Sequence, residues 1–480
     1  MSQFSVADAR VVVVGAGRSG IAAARLLAGR GARVTLSEAG REVAGSGLLA
    51  DQGIEIEVGG HRADTLGAAD LIVSSPGVSP RLPEIAAARR RGIPVISEVE
   101  LAARWLRGRL VAVTGTKGKS TTVVVTARML EAGGRHAVVG GNIGVALSSQ
   151  VETSRPEVVH VVEVSSFQLE LTETFRPWIA VCLNLSPDHL DRHASFEEYA
   201  GAKARVFANQ TPDDAMVINA DDPDVLRIAR AGRARALRFA VETRLAEGVQ
   251  VTAGGIAQRS AGGEKCLVPM SAVRVPGRHL LGDIAAAAAV GTLAGVDAGA
   301  MTRAVQSFTG LEHTLELVRE IDGVRFVNDS KATNVVAARA AVECFGAGVV
   351  VILGGRFKGG RFEDLRAALA SRDASVVAIG EARRQVRRAL EADVAVHEAG
   401  TMDEAVQSAA ALARPGGAVL LAPACASLDM FRDYAARGVA FRNAVAALAA
   451  SGWSPERGRG REQARDRGRE QLAVISRFAR

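Results

Sequence analysis

The octapeptide Thr114–Thr121, TGTKGKST, constrains this 480-residue chain more than any other segment. It follows the apolar run RLVAV and precedes VVVTARML, so a strand must enter a glycine-rich turn and leave it as a helix. Backbone N–H groups in such a turn, with the positive end of the helix behind them, cradle phosphates. Lys119 can reach terminal phosphates and Ser120 can ligate Mg²⁺, while Gly115, Thr116, Lys117, Gly118 and Thr121 wrap the anion. The spacing is tighter than the general GxxxxGK[ST] pattern, which would place a glycine where Val113 stands.

Short β-branched runs alternate with helical stretches on both sides of this loop, which predicts α/β architecture. At roughly 100–200 residues per domain the length predicts about three domains. We read a Rossmann-like unit over 1–107, a central phosphate-loop parallel-sheet unit over 108–310, a second Rossmann-like unit over 311–450 and a basic tail over 451–480, with no internal repeat. Hydrophobic residues at 48% and charged residues at 23% exclude a fibrous or wholly disordered chain. The net charge is +7, but eight arginines against four acids after Ala450 give +4 of it. The basic excess is therefore largely a solvated tail, and specific nucleic-acid binding is not expected. Cys182, Cys266, Cys344 and Cys425 lie far apart without a CxxC pair, which predicts a reducing compartment. No apolar run approaches the ~20 residues of a spanning helix and the first residues have no leader pattern, so a cytoplasmic protein without a membrane span is expected.

Other segments carry weaker signals. Gly15–Gly20 reads GxGxxG between a strand and a helix, with Glu38 at the end of the next strand, a pattern that suits a dinucleotide, another nucleotide diphosphate or a plain tight turn. Ser75 and Gly77 follow a further strand of the same unit. Glu163 and His189 each follow an apolar strand, where a carboxylate and an imidazole suit Mg²⁺ between a nucleotide and a substrate carboxylate; a histidine alone reads more often as a structural hydrogen bonder, and the DHLDRH context after the phosphate loop reverses that. Lys203 reads from spacing as an exposed helix lysine. Asp329, Lys331 and Thr333 sit on a turn entering a helix, which suits an anion. Cys425 reads as a packed small residue with no base beside it.

Together GTKGKST, GNIG (Gly141–Gly144), EVSSFQLE (Glu163–Glu170), NLSPDHLDRH (Asn184–His193) and NDSKATN (Asn328–Asn334) resemble the Mur ligases in identity and order. SSFQLE and ACASLDMF (Ala424–Phe431) are similar to the branch of that family that adds D-glutamate. The resemblance spans about residues 10–445 and implies ATP- and Mg²⁺-dependent ligation of D-glutamate to UDP-N-acetylmuramoyl-L-alanine through an acyl phosphate, in peptidoglycan synthesis, by a monomer with small-molecule substrates. A ligase adding L-glutamate and a catalytically silent nucleotide-binding homologue are the alternatives. The resemblance turns the first unit into the holder of the UDP substrate, with Gly17, Ser19, Glu38, Ser75, Gly77 and Asn142 as contacts, joined by Ser165 and Gln168 of the SSFQLE run. It gives the metal to Ser120, Glu163, His189 and a carbamylated Lys203, and nucleotide contacts to Asp283, Asp329 and Lys331. Thr333, Lys358, Ser427 and Tyr434 take positions that receive the incoming amino acid.

Two positions depart from the family pattern. Where HNxxN is usual the chain has His279-Leu280-Leu281-Gly282-Asp283, so an adenine-contacting asparagine becomes Asp283, which as a carboxylate accepts but cannot donate. Where an arginine is usual after His313 the chain has Thr314, and Arg356 and Arg361 are the nearest replacements the sequence offers.

Overall fold

The tetravaline of Arg10–Val14 (β1) is buried on both faces, as a central parallel strand requires. The helix Arg18–Ala28 returns across it and ends in a Schellman turn: Ala32 N–H reaches the Leu27 carbonyl, Gly31 N–H that of Ala28, and Gly31 takes φ +82°. The chain then enters Arg33–Glu38 (β2). With Glu55–Val58 (β3), Leu71–Ser74 (β4) and Val95–Ser97 (β5) these strands form an all-parallel sheet of order β3-β2-β1-β4-β5. The order reverses between β1 and β4, and the crevice at such a reversal is where open α/β sheets bind ligands.

This computed structural model describes residues 4–189, 192–274 and 278–454. By its internal contacts the chain forms two units, Met1–Val273 with His279–Ser307, and Arg274–Arg278 with Phe308–Arg480. The first unit also holds a nine-stranded sheet: Arg109–Thr114 (β6), Ala137–Gly141 (β7), Val159–Glu163 (β8), Ile179–Cys182 (β9), Ala215–Asn219 (β10), Arg235–Ala240 (β11), Gly248–Thr252 (β12), Gly255–Ser260 (β13) and Gly263–Pro269 (β14). Its order is β14-β13-β12-β11-β10-β9-β6-β8-β7, parallel except for the β12–β13 and β13–β14 pairs. Those last strands form an antiparallel hairpin excursion from the sheet. β6, β8 and β9 are neighbours, which brings the phosphate loop, Glu163 and the segment after Cys182 to one sheet edge.

Polar groups join the two sheets of this unit. Glu98, fully buried, accepts from the Ser148 N–H (2.6 Å). Glu100, on the same helix (Glu98–Ala103), accepts from the N–H groups of Glu173, Thr174 and Phe175, the Thr174 hydroxyl and Arg104. The helix Arg278–Leu293 is buried along Ile284–Val290, where alanines allow close approach to its neighbours.

In the second unit Glu316–Ile321 (β15), Val324–Asn328 (β16), Val349–Gly354 (β17), Ser375–Ile379 (β18), Ala395–Glu398 (β19) and Ala418–Leu421 (β20) form a sheet of order β15-β16-β20-β17-β18-β19. Only β15 runs antiparallel. Helix Tyr434–Ala450 packs on it through Phe441, Val445 and Leu448, and Trp453 stands edge-on to Phe326. Three mostly parallel sheets thus make the α/β fold that the alternation predicts. Among the described residues, no helix is long and apolar enough to cross a membrane.

Candidate active site

β6 delivers Thr114 into the phosphate loop, and helix Lys119–Ala132 carries its far end. Gly118 caps that helix at φ +84°, and a Cβ there would lie 2.0 Å from the Asp283 carboxyl, so backbone sterics and space both demand glycine. Asn184 buttresses the loop from outside: its Oδ1 accepts from the N–H groups of Thr116 (3.2 Å) and Lys117 (2.9 Å). The Thr116 hydroxyl bonds the Tyr199 hydroxyl at 2.9 Å. Lys119 folds back, donating to the carbonyls of Gly115 (3.0 Å) and Thr116 (2.9 Å).

Ser120 donates to Glu163 Oε2 (2.6 Å), and Asn142 donates to Glu163 Oε1 (2.8 Å). Glu163 is 2% exposed at the end of β8. A hydroxyl and a carboxylate under a phosphate loop are the hard oxygen donors that Mg²⁺ takes, so these residues fit the ion. Lys203 is also 2% exposed, contrary to the spacing-based expectation of a surface lysine. Its helix Phe196–Ala204 turns it under the phosphate loop, where Nζ donates to the Gly115 carbonyl (2.7 Å) and lies over the Tyr199 ring. Burial, seconded by the charge of Lys119, brings its pKa down to about 7. His189 stands at φ +54° with a half-exposed imidazole against the Phe167 ring, 4.8 Å between centroids, and 3.7 Å from the Asp188 carboxylate. Among the described residues no three His, Cys, Asp or Glu side chains converge on one point.

Beside this cluster opens a cleft of about 430 Å³ lined by Gly15, Gly17, Arg18, Ser19, Glu38, His61, Ser75, Gly77 and Asn142, among others. It lies at the β1–β4 reversal, and the central sheet supplies its far wall through Gly141–Gly144. Arg18 crosses the mouth to the Gly144 carbonyl (3.0 Å). Glu38 accepts from the N–H groups of Gly40 (2.9 Å) and Ala16 (2.6 Å), which hold its carboxyl below the usual range. Ser165 and Gln168 form a reciprocal capping box on helix Ser166–Leu169, and Gln168 is fully buried.

Asp283 is buried against Gly118, and desolvation raises its carboxyl well above the usual carboxylate range. Burial there disfavours the charged form. The upward shift favours the protonated acid, whose O–H can donate where a carboxylate only accepts.

In the second unit Asp329, Lys331 and Thr333 occupy the turn before helix Val335–Glu343. Asp329 accepts from the Leu315 N–H (3.2 Å), and burial raises its pKa to about 7. Lys358 is exposed, Ser427 is buried in the turn after β20, and Tyr434 opens the last helix edge-on to His313. Burial pushes the Cys425 thiol up to about 12, which fits packing and not nucleophilic chemistry. The Thr314 hydroxyl is buried with no hydrogen-bond partner among the described residues, and Arg356 is paired with Glu381 at 3.1 Å.

Family models match this geometry segment by segment: the Mur ligase MurD-like N-terminal domain over residues 9–97, the Mur ligase middle domain over 113–291 and the Mur ligase glutamate ligase domain over 315–425. A UDP-N-acetylmuramoylalanine–D-glutamate ligase of Acidobacterium capsulatum is 46% identical over 91% of this chain and 96% of its own. The chain belongs to the Mur ligase family. Another relative of that name, from Pelobacter propionicus, is 43% identical over 92% of this chain and 99% of its own. Among solved structures, the UDP-N-acetylmuramate-alanine ligase MurC of Thermotoga maritima (TM-score 0.55, 19% identity) covers 92% of this chain and 100% of its own. The MurF ligase of the same organism (0.54, 18%) covers 92% and 96%. Both attest the fold. Members of the family use ATP and Mg²⁺, in keeping with the phosphate loop and the Ser120–Glu163 pair.

Asn184, Tyr199 and Arg18 were not singled out from sequence. Asn184 opens the NLSPDHLDRH run, so its place in that motif was the available signal; Tyr199 and Arg18 act on residues far away in the chain.

Proposed function

We propose that this chain ligates D-glutamate to UDP-N-acetylmuramoyl-L-alanine at the expense of ATP, a step of peptidoglycan synthesis. One observation carries the reading. The line Ser120–Glu163–Asn142 runs from the phosphate loop into the wall of the nucleotide-diphosphate cleft, so γ-phosphate and substrate carboxylate can meet above one carboxylate. The alanyl carboxylate oxygen attacks the γ-phosphorus and ADP leaves; the glutamate amine then adds to the acyl carbon, and the tetrahedral intermediate expels phosphate. Little covalent work falls to the protein, so positioning and charge neutralisation dominate.

Lys119 neutralises charge on the transferred phosphoryl group once it exchanges its loop carbonyls for phosphate oxygens. Bound Mg²⁺ would supply Lewis-acid neutralisation of phosphate and carboxylate oxygens. We assign its holding to Ser120, Glu163, His189 and Lys203, the last as a carbamate. The unprotonated amine adds CO₂ and releases a proton, turning a cation into an oxygen donor; a pKa of about 7 makes that amine abundant at neutral pH. We assign nucleotide contacts to Gly115–Thr121, Asp283, Asp329 and Lys331. Substrate contacts go to Gly17, Ser19, Glu38, Ser75, Gly77, Asn142, Ser165, Gln168, Thr333, Lys358, Ser427 and Tyr434. Residues 1–107, 108–310 and 311–450 then serve the UDP substrate, ATP, and the amino acid with ATP closure.

The test is phosphate release from ATP with the muramoyl-alanine substrate and either glutamate enantiomer. Release that requires the substrate and prefers D-glutamate is expected. Preference for the L form would overturn the stereochemistry, and no release under any combination would favour a silent homologue.

A further inference from the structure

Arg192 has no part in the chemistry assigned above, yet it touches both halves of the site. Its Nη1 donates to the Pro76 carbonyl (2.9 Å) and its Nη2 to the Val78 carbonyl (2.8 Å), the segment that walls the cleft beside Gly77. The Cζ of the same guanidinium lies over the Phe167 ring, 3.9 Å from its centroid. That ring packs in turn against the imidazole of His189. The backbone closes the circuit, because the N–H groups of Arg192 (3.0 Å) and His193 (2.9 Å) both donate to the His189 carbonyl.

The geometry uses what only arginine has. Two carbonyl bonds from one fork hold the guanidinium in place, and a held guanidinium supports the ring it lies over. His189 gains from such support, since φ +54° is uncommon for a non-glycine residue. One guanidinium and one ring thus link the Pro76–Val78 segment to His189.

We propose that Arg192 is a positioning residue that couples occupancy of the sugar-nucleotide cleft to the setting of His189, so that substrate and Mg²⁺ bind cooperatively. This rests on the reading of the cleft and of His189 given under the proposed function. A parallel strut, Arg81 to Glu198 with Glu198 capping the Ala194 N–H, holds the same segment to the first sheet, so the Arg192 variants should fold.

Coupling of binding is reciprocal, so it can be read from the substrate alone. Calorimetric titration of the full chain with UDP-N-acetylmuramoyl-L-alanine, with and without Mg²⁺ and in the absence of ATP, should show the ion tightening wild-type binding by about tenfold. In Arg192→Lys, which keeps the charge but loses the fork and the face, the ratio should fall below about twofold while metal-free affinity stays within about threefold. Phe167→Leu, which spares both carbonyl bonds, should lose the ratio in the same way. An intact ratio in both variants, or a wild-type protein that binds substrate with no Mg²⁺ effect, overturns the coupling and leaves the cleft assignment standing. Collapse of metal-free binding in Arg192→Lys would make the residue a simple part of the wall and also overturn it. A wild-type protein that does not bind the substrate at all overturns the cleft assignment itself and this inference with it.

Discussion

Burial and the charge of Lys119 bring the Lys203 ammonium down to about 7, and the consequence reaches both stability and chemistry. Between about 7 and the ordinary lysine value near ~10.4 the unfolded chain holds one proton more than the folded one, so stability rises with pH across that window by up to ~1.4 kcal/mol per unit. Below it both states carry the charge, and the full cost of burying it is felt. Lys203→Met should flatten this slope, as urea unfolding at pH 6.5, 8 and 9.5 would report; parallel profiles would return the lysine to an ordinary pKa. Loading with ¹³C-bicarbonate should give a carbamate resonance that grows from pH 6 to 8, and Lys203→Ala should lose roughly 10²–10³ in kcat, in part restored by a short carboxylic acid. Asp283 offers the opposite case, an acid whose carboxyl is pushed upward by burial against Gly118. Asp283→Asn should leave KM for ATP within about threefold, whereas a carboxylate at that position would predict a larger gain. Neither environment was legible in the sequence. A helix lysine reads as solvated, and an Asp-for-Asn exchange reads as a lost donor, until the fold states how dry each position is.

Across elements, the phosphate loop and helix Glu98–Ala103 are the two joints on which the first unit depends. Lys119→Ala should keep the fold and lose several kcal/mol of transition-state stabilisation, at ~1.4 kcal/mol per tenfold in kcat; near-normal turnover would remove the loop from the mechanism. Glu100 is a structural counterpart. Burial alone would raise its carboxyl, but the donors from Thr174, Glu173 and Arg104 outweigh burial and hold it below the usual value. Its contribution is therefore present above about pH 4.5 and lost as pH falls through the lowered folded value. Glu100→Gln turns an amide N–H₂ toward N–H donors and should cost about 2–4 kcal/mol at pH 7, measured by denaturant unfolding. The sequence announces the central strands, such as VVVV and GVVVILG, because burial on both faces leaves unbroken apolar runs. It is quieter about β3, β15 and β19, whose Glu55, Glu57, Glu316, Glu320 and Glu398 belong to strands bonded on one side only. Arg192 was invisible for another reason: its partners lie 116 and 114 residues away.

At the scale of the whole molecule, the motifs gave three sheets in order because the GxGxxG turn, the phosphate loop and NDSKATN each follow a strand and lead into a helix. The end of the second unit is a finer matter. Trp453 packs on Phe326 beyond the last helix, while residues 455–480 lie outside those described. A chain ended after Ser454 should keep its melting temperature within about 2 °C and its ligation rate, whereas one ended after Ala450 should lose several degrees along with that aromatic contact. The nine-stranded sheet has a further consequence. One of its margins is β14, where Glu264 and Lys265 stand exposed, the pairing with β13 slips by one residue near Ala257, and Pro269 ends the strand without an N–H to offer. Charge, irregular register and proline each discourage a second chain from extending a sheet. The seven residues Gly263–Pro269 thus carry a safeguard against the sheet growing into fibrils.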